Sequence, residues 1–598
     1  MSSHADRLAA LRGELARRRL DGFVVPLTDE HMSEYVGSYA QRLAWLTGFE
    51  GSAGTAVVLP EEAAIFVDGR YTLQVREQVS PDQWSYQSVP DASVAEWLKE
   101  HARPGARIGY DPWLHTKGWV ESASKALATR GAELVAVETN PIDAIWADRP
   151  APSDARLVVQ PDDLAGRSAA AKRHDIAEWL TKQGDDAVVL SALDSIAWAF
   201  NVRGQDVSRT PVALAYALIR ADATADLFVD PEKIDEAVAQ HLGNAVTVKP
   251  RAAFAPALEE LSGKRVAVDP DRAVAAIFGR LKAAGAKIDE ARDPVVLPKA
   301  IKNPAEIAGS KSAHVRDGAA VTRFLHWIDT VAAEGDEDEL SAAARLESFR
   351  AETGALRDLS FDTISGSGPN GAVVHYRVTE KTVRPIERGT LYLVDSGGQY
   401  QDGTTDITRT VPIGEPTAEM KDRFTRVLKG HIALARAVFP VGTRGSQLDT
   451  LARQYLWEAG LDYAHGTGHG VGSYLAVHEG PQRIATPSAS QAGTDEPLKA
   501  GMILSDEPGY YKTGEYGIRI ENLVLVEERT IAGAEKKMLG FETLTLAPID
   551  RRLIELSMLS PEERVWIDAY HARVAREIGP LVPEATRGWL EKATAPLG

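Results

Sequence analysis

Apolar and polar positions alternate along the chain in two rhythms, and their order outlines the architecture. The N-terminal stretch MSSHADRLAALRGELARRRL reads as a charged amphipathic helix, and an apolar strand follows at Gly22 to Pro26. RLAWLTGFEGSAGTAVVL (Arg42 to Leu59) and AAIFVDGRY (Ala63 to Tyr71) come next, and helical and strand-like pieces alternate to about Trp146. Such alternation predicts an α/β domain. Ala147 to Asp154, ADRPAPSD, carries two prolines and several charges and predicts a linker. Near Ser168 the same order begins again, with an amphipathic helix (KRHDIAEWLTKQG), the strand DAVVLSA and then SIAWAFNVRG. Leu43-Ala44-Trp45 and Ile196-Ala197-Trp198 hold matching places, so the two segments read as a degenerate duplication. A third unit opens near Lys302 with a long amphipathic helix, whose Pro304 suits the first turn, where a missing N–H costs nothing. It runs through glycine-rich turns between strands to a late helical stretch from Pro561 to Ile578. The expected division is 1–150, 155–300 and 302–598.

Composition narrows the chemistry. Among 598 residues, 67 are basic and 85 acidic, a net charge of −18 that repels phosphate backbones and predicts no nucleic-acid partner. Cysteine is absent, which excludes thiol nucleophiles, disulfides and thiolate metal sites. Carboxylate and imidazole remain as the strong metal ligands. The N-terminus lacks an apolar signal core, and no stretch reaches the ~18 uninterrupted apolar residues of a membrane span. The expectation is a cytoplasmic protein without membrane association.

Three segments of the last unit concentrate candidate ligands. In LYLVDSGGQYQDGTTDITRTV, an apolar run leads into Asp395, and Thr404 to Val411 has strand propensity. A loop from about Gly397 to Gly403 would set Asp395 and Asp406 opposite each other on a hairpin, with Cβ atoms about 5 Å apart. Two apposed carboxylates repel unless a cation or a proton lies between them. Asp402 precedes a glycine in an ordinary turn signal and receives no ligand role. In AGMILSDEPGYYKTGEYGIRIENLVLVEE, Gly514 is the midpoint of Glu507 and Glu521, so a hairpin centred there opposes these two as well. The third segment, HGTGHGVGSYLAVHEGP, holds three of the chain's 14 histidines, His465, His469 and His478. Glycines and the lack of a Glu after His465 argue against a zincin helix; a glycine-rich loop beside a strand is expected, with one histidine as ligand and the others supporting or catalytic. Four carboxylates and one imidazole form a hard set that favours Mn²⁺, Co²⁺ or Fe²⁺ over structural zinc. They suffice for two ions about 3.5–4 Å apart.

On these residues the C-terminal unit resembles the M24 metallopeptidases, and the whole chain resembles the three-domain Xaa-Pro aminopeptidases (aminopeptidase P). Asp395, Asp406, His469, Glu507 and Glu521 match that family's ligand order and intervals. The resemblance implies two creatinase-like N-terminal α/β domains before a pita-bread catalytic domain, an α/β (α+β) chain throughout. It implies two divalent ions, manganese first, with cobalt, iron or zinc as alternatives. Asp406 and Glu521 would bridge them, Asp395 completing one shell and His469 and Glu507 the other. His375 in GPNGAVVHY and His478 in AVHEGP resemble substrate-binding and proton-handling histidines, His465 a further pocket histidine, and Arg519 the arginine beside the last ligand. TGFEGSAGTAVV and VDGRYTLQVREQ resemble the family's first domain, whose DGRY arginine, here Arg70, approaches the substrate. The implied activity is hydrolysis before a penultimate proline by a water that two cations activate, with Glu507 relaying its proton. A homodimer is implied too, with Trp457 either at the interface or in the core. The alternatives are a prolidase restricted to Xaa-Pro dipeptides and a non-catalytic binding module. The filled ligand positions count against the latter and against the metal-independent creatine hydrolysis of this fold.

Overall fold

A computed structural model describes residues 3–89, 91–487 and 493–598, and the chain forms two compact units, Met1–Val296 and Leu297–Gly598. The first helix, His4–Arg17, is capped by Ser3, whose hydroxyl accepts from the Asp6 N–H while the Asp6 carboxylate accepts from the Ser3 N–H. Its Leu8, Leu11 and Leu15 recur at helical spacing and are buried. They cover a six-stranded sheet in the order Ser85–Ser88, Ala63–Val67, Thr55–Val58, Gly22–Pro26, Arg107–Tyr110, Glu133–Ala136. Gly22–Pro26 is the apolar run expected of a strand covered on both faces, and all five of its residues are buried.

The second sheet of this unit runs Val246–Lys249, Ala225–Phe228, Tyr216–Arg220, Ala187–Leu190, Arg265–Val268, Lys287–Glu290. Order and direction repeat strand for strand. In each sheet the central strand is antiparallel to the next on one side and parallel to its neighbour on the other, and both outermost pairs are parallel. Trp45 and Trp198 sit in the helices Arg42–Thr47 and Leu193–Phe200, which follow the central strands. The duplication read from the sequence is therefore a repeated topology. Residues 147–154 contain neither helix nor strand.

The second unit opens with the helix Pro304–Thr330, with Asn303 capping the N–H groups of Ala305 and Glu306 and Pro304 in the first turn. A three-stranded sheet, Ile364–Ser367, Thr390–Ser396 and Ile407–Ile413, carries Asp395, and Asp406 immediately precedes its last strand. A six-stranded sheet in the order Val438–Pro440, Met538–Thr543, Asn522–Arg529, Ile503–Asp506, Gly468–Gly470, Glu479–Ile484 carries His469, with Glu507 and Glu521 each one residue beyond a strand end. The helix Ala418–Ala435 buries Phe424, Val427 and Leu428 in a core shared with Leu456, Ile518, Ile567 and Val574. Pro561–Ile578 is a helix as expected, capped by Ser560. Trp457 ends the helix Gly445–Trp457 and is 46% exposed, so the core alternative for this residue does not hold. No helix among the described residues is long and apolar enough to cross a membrane.

Candidate metal centre

The Asp395 strand pairs with Ile407–Ile413 in a register that sets Asp395 opposite Thr408 and Ser396 opposite Ile407. The expected face-to-face pairing of Asp395 with Asp406 is thus displaced by two residues, which leaves the two carboxylates on a diagonal. The cause lies in the connection. Gly398–Tyr400 and Gly403–Thr404 form strands of a separate sheet with Leu356–Leu359, so the expected strand from Thr404 is broken at Thr405 and Asp406. Asp402 pairs with Arg316, outside the ligand cluster.

The Glu507 and Glu521 hairpin keeps the expected centre. Asp506 pairs with Asn522 on one side of these residues and Gly509 with Arg519 on the other, a continuous register about Gly514. At the two glutamates the ladder opens outward. The Glu507 N–H donates to Thr467 O (2.8 Å) and the Glu521 N–H to Thr408 O (3.2 Å), so each ligand is tied to a neighbouring ligand segment.

His469 does not sit in a loop beside a strand, as expected, but in the strand Gly468–Gly470, between Ile503–Asp506 and Glu479–Ile484. Its glycine neighbours answer to close approach. A Cβ on Gly468 would lie 2.0 Å from Ser505 O, and one on Gly470 2.2 Å from Glu479 O. The His469 Nδ1 lies 2.9 Å from Gly470 O and donates to that carbonyl, which leaves the Nε2 lone pair for a cation among the carboxylates. That Nε2 is 3.5 Å from both Asp406 Oδ2 and Glu507 Oε1.

One ligand atom each from Asp406, His469 and Glu521 lies within 4.8 Å of the others, and all three residues are buried. Buried oxygens of Asp395 (Oδ1), Asp406 (Oδ1) and Glu521 (Oε1) have no hydrogen-bond partner. Burial pushes the Asp406 carboxyl well up, and Asp395 and Glu507 push it further. Burial likewise raises Glu521, with Asp406 the next cause, and burial raises Glu507. Four carboxylates therefore face one another, three of them with an unsatisfied buried oxygen, a state that costs several kcal/mol per uncompensated ion. Divalent cations resolve it, and an O-rich set with one imidazole fits hard or borderline ions.

Polar neighbours hold the acids in place. Arg519 donates to Asp395 Oδ2 (2.7 Å), Thr408 Oγ1 (3.1 Å) and the Tyr511 hydroxyl (2.6 Å). Thr408 Oγ1 donates to Glu521 Oε2 (2.8 Å), and Ser505 Oγ to Glu507 Oε1 (3.2 Å). Burial pushes the Tyr511 phenol up to about 12, so it stays protonated and donates to His465 Nε2 at 2.8 Å. The His465 Nδ1 is satisfied by Gly466 O. His465 thus joins the cluster at the far end of a chain that begins at Asp395. His478 packs edge-on against His469, with ring centroids 4.4 Å apart, and His375 lies 6.5 Å from His478. Arg70 belongs to the first unit, where it bonds Asp68 and approaches Glu34.

Some residues of this site escape sequence reasoning. Arg409 is buried and donates to Glu521 O (2.7 Å), Asn522 Oδ1 (2.9 Å), Pro548 O (3.0 Å) and the Tyr570 hydroxyl (2.9 Å), so it backs the last ligand. The signal was present in DITRTV: Ile407 and Val411 face the core, and Arg409 interrupts that apolar face. Tyr511, Thr408 and Ser505 carry no such mark.

Comparison with known proteins gives the same outline. Residues 308–528 match metallopeptidase family M24, and 537–597 match the C-terminal region of that peptidase. Residues 7–145 and 148–306 each match the creatinase/prolidase N-terminal domain. A protein of Aspergillus clavatus named "Probable Xaa-Pro aminopeptidase P" is 42% identical over 618 residues, covering 99% of this chain and 93% of that protein. One of the same name from Paracoccidioides brasiliensis is 41% identical over 617 residues, covering 99% of each. The solved X-prolyl aminopeptidase of Caenorhabditis elegans, titled a cytosolic enzyme with a di-nuclear active site, superposes with a TM-score of 0.95 at 34% identity over 100% of both chains.

Proposed function

The chain belongs to metallopeptidase family M24, among the Xaa-Pro aminopeptidases P, and from that premise we propose how it works: it releases the N-terminal residue from peptides whose second residue is proline. The observation that carries this reading is the likeness over the whole length, including both N-terminal domains and not the catalytic unit alone.

In this reading Asp395, Asp406, His469, Glu507 and Glu521 would hold two divalent ions. Mn²⁺ is our first choice for the hard donor set. Bound there, the ions supply Lewis acidity toward the scissile carbonyl and lower the pKa of a water. Glu507 receives the proton at its carboxylate. The proline nitrogen has no N–H of its own and leaves as a secondary amine, so a proton must reach it, and in this reading Glu507 delivers the proton it received. His375 and His478 orient the proline and donate to the carbonyl oxygen as it gains charge, where positioned donors have most effect. Arg519 and Tyr511 keep Asp395 and His465 in register, and the Nδ1 bond of His469 fixes the tautomer that leaves Nε2 for a cation.

Product analysis tests the assignment. The manganese-loaded protein is expected to release the first residue from an Xaa-Pro-Xaa peptide. Cleavage confined to Xaa-Pro dipeptides would make the chain a prolidase, and stoichiometric metal with no hydrolysis would leave a binding module.

We also propose a cytoplasmic homodimer. The exposed Trp457 supports a contact at the end of its helix, since a large aromatic at 46% exposure is an ordinary anchor of protein interfaces. Sedimentation is expected to show a dimer that Trp457→Glu weakens; a dimer unchanged by the substitution would rule out this contact.

A further inference from the structure

Glu339 begins the helix Glu339–Ala351, yet its side chain is entirely buried and turned away from that helix's solvent face. Its Oε1 accepts from the Ser367 N–H (2.7 Å) and from Asn370 Nδ2 (3.0 Å). Its Oε2 accepts from the Arg384 N–H (2.9 Å), from Asn370 Nδ2 (2.9 Å) and from the Tyr376 hydroxyl (2.9 Å). The backbone repeats the tie, because the Glu339 N–H donates to Arg384 O (3.1 Å) and Ser365 Oγ donates to Glu339 O (2.7 Å).

All these partners belong to one stretch of chain, which leaves the strand Ile364–Ser367 and returns at Arg384. Between those points its only regular element is the short 3₁₀ turn Gly368–Ala372. His375 lies on this stretch, next to Tyr376. A segment with so little regular structure takes its position from side-chain ties, and most of the ties above converge on one carboxylate. The partners are backbone amides, a side-chain amide and a hydroxyl, none of them charged. An ionised carboxylate surrounded by such donors is satisfied without an ion pair. On its other side the stretch abuts the hairpin between Glu507 and Glu521, where a Cβ on Gly517 would lie 1.7 Å from Gly371 O. The loop is thus gripped between Glu339 and the hairpin that carries two metal ligands.

We infer that Glu339 is a positioning residue for His375, holding the loop Ser367–Arg384 so that this histidine meets the substrate opposite His478. The inference rests on the Xaa-Pro aminopeptidase reading and deepens it. A displacement of about 1 Å in a substrate-positioning group costs on the order of 10²-fold in rate. Glu339→Gln replaces an acceptor with an amide N–H that faces other donors, so the loop must shift.

The test is a double-mutant cycle with His375→Ala, read as kcat and KM on an Xaa-Pro-Xaa peptide alongside metal content. Glu339→Gln is expected to lower kcat/KM by about 10²-fold with the metal content of the wild type. In the His375→Ala background it should cause no further loss, because the group it positions is gone. Losses that multiply in the double mutant, or loss of metal from Glu339→Gln, would overturn the inference. Should Glu339→Gln fail to fold, Tyr376→Phe removes one tie of the same clamp; its smaller loss must also vanish in the His375→Ala background. A metal-loaded wild type that does not cleave such peptides would instead strike the functional reading itself.

Discussion

Glu507→Gln is expected to lower kcat by about 10⁴-fold on Xaa-Pro-Xaa peptides while the protein stays folded and still takes up metal. General acid–base groups contribute about 10²–10⁴-fold, and this residue is asked to accept one proton and deliver it to a poor leaving group. Its surroundings suit both halves of that task. Its side chain is 17% exposed, so it reaches the open side of the cluster. Burial raises its carboxyl, which makes it a better base, while His469 and Arg519 pull in the opposite direction and keep it available as the anion. The amide has the same size and retains one oxygen for a cation and for the Ser505 hydroxyl, 3.2 Å away, but it cannot take a proton. Metal analysis must accompany the kinetics, so that a lost ion is not mistaken for a lost base. A metal-loaded variant with a rate near that of the wild type would remove the assigned role.

What could be read before folding follows the range of the forces involved. Helix starts were legible where the cap is local: Ser168, Asn303 before Pro304, and Ser560 before Pro561 each announce a helix within a few residues. The Glu507–Glu521 register was legible for the same reason, since one turn about Gly514 sets it. The Asp395–Asp406 register was not, because the intervening residues leave to pair with Leu356–Leu359, a partner more than 30 positions away. The glycines on both sides of His469 argue against a strand and predict a loop, yet the residue lies in the strand Gly468–Gly470. Only the approach of Ser505 and Glu479 within about 2 Å of where a Cβ would sit explains them. Arg409 and Glu339 are harder still. Each is a charge made tolerable by partners from distant segments, and no spacing rule joins Glu339 to Ser367, Asn370, Tyr376 and Arg384. The ligands and Arg519 were readable through family likeness, whereas Arg409, Tyr511, Thr408 and Ser505, which help hold them in place, needed the fold.

Thorough chelation is expected to abolish hydrolysis, Mn²⁺ to restore it, and the metal-free protein to become less stable as pH rises above the ordinary carboxylate range. The sign follows from the carboxylates. Asp406 and Glu521 have their folded-state pKa values raised well above unfolded values near 4, first by burial and then by the neighbouring carboxylates. Without cations, these groups favour the folded state below the unfolded values, where both states are protonated and nothing is lost. As pH climbs toward the folded pKa values, the unfolded chain sheds its protons and the folded one does not. Each proton that the folded chain holds and the unfolded one has lost then removes about 1.4 kcal/mol of stability per pH unit. Cations reverse the dependence, because they bind the ionised carboxylates and displace the protons as they do so. The gap in unfolding free energy between manganese-loaded and metal-free protein should therefore widen as pH rises. Denaturant titrations of both forms at a series of pH values measure it, with every group remote from the site cancelling in the difference. Calorimetry in two buffers of different ionisation enthalpy would register the proton release directly. A gap that is constant with pH, or binding without protons, would mean that these acids are already ionised and satisfied in the metal-free protein. The unpartnered oxygens of Asp395, Asp406 and Glu521 would then need another explanation.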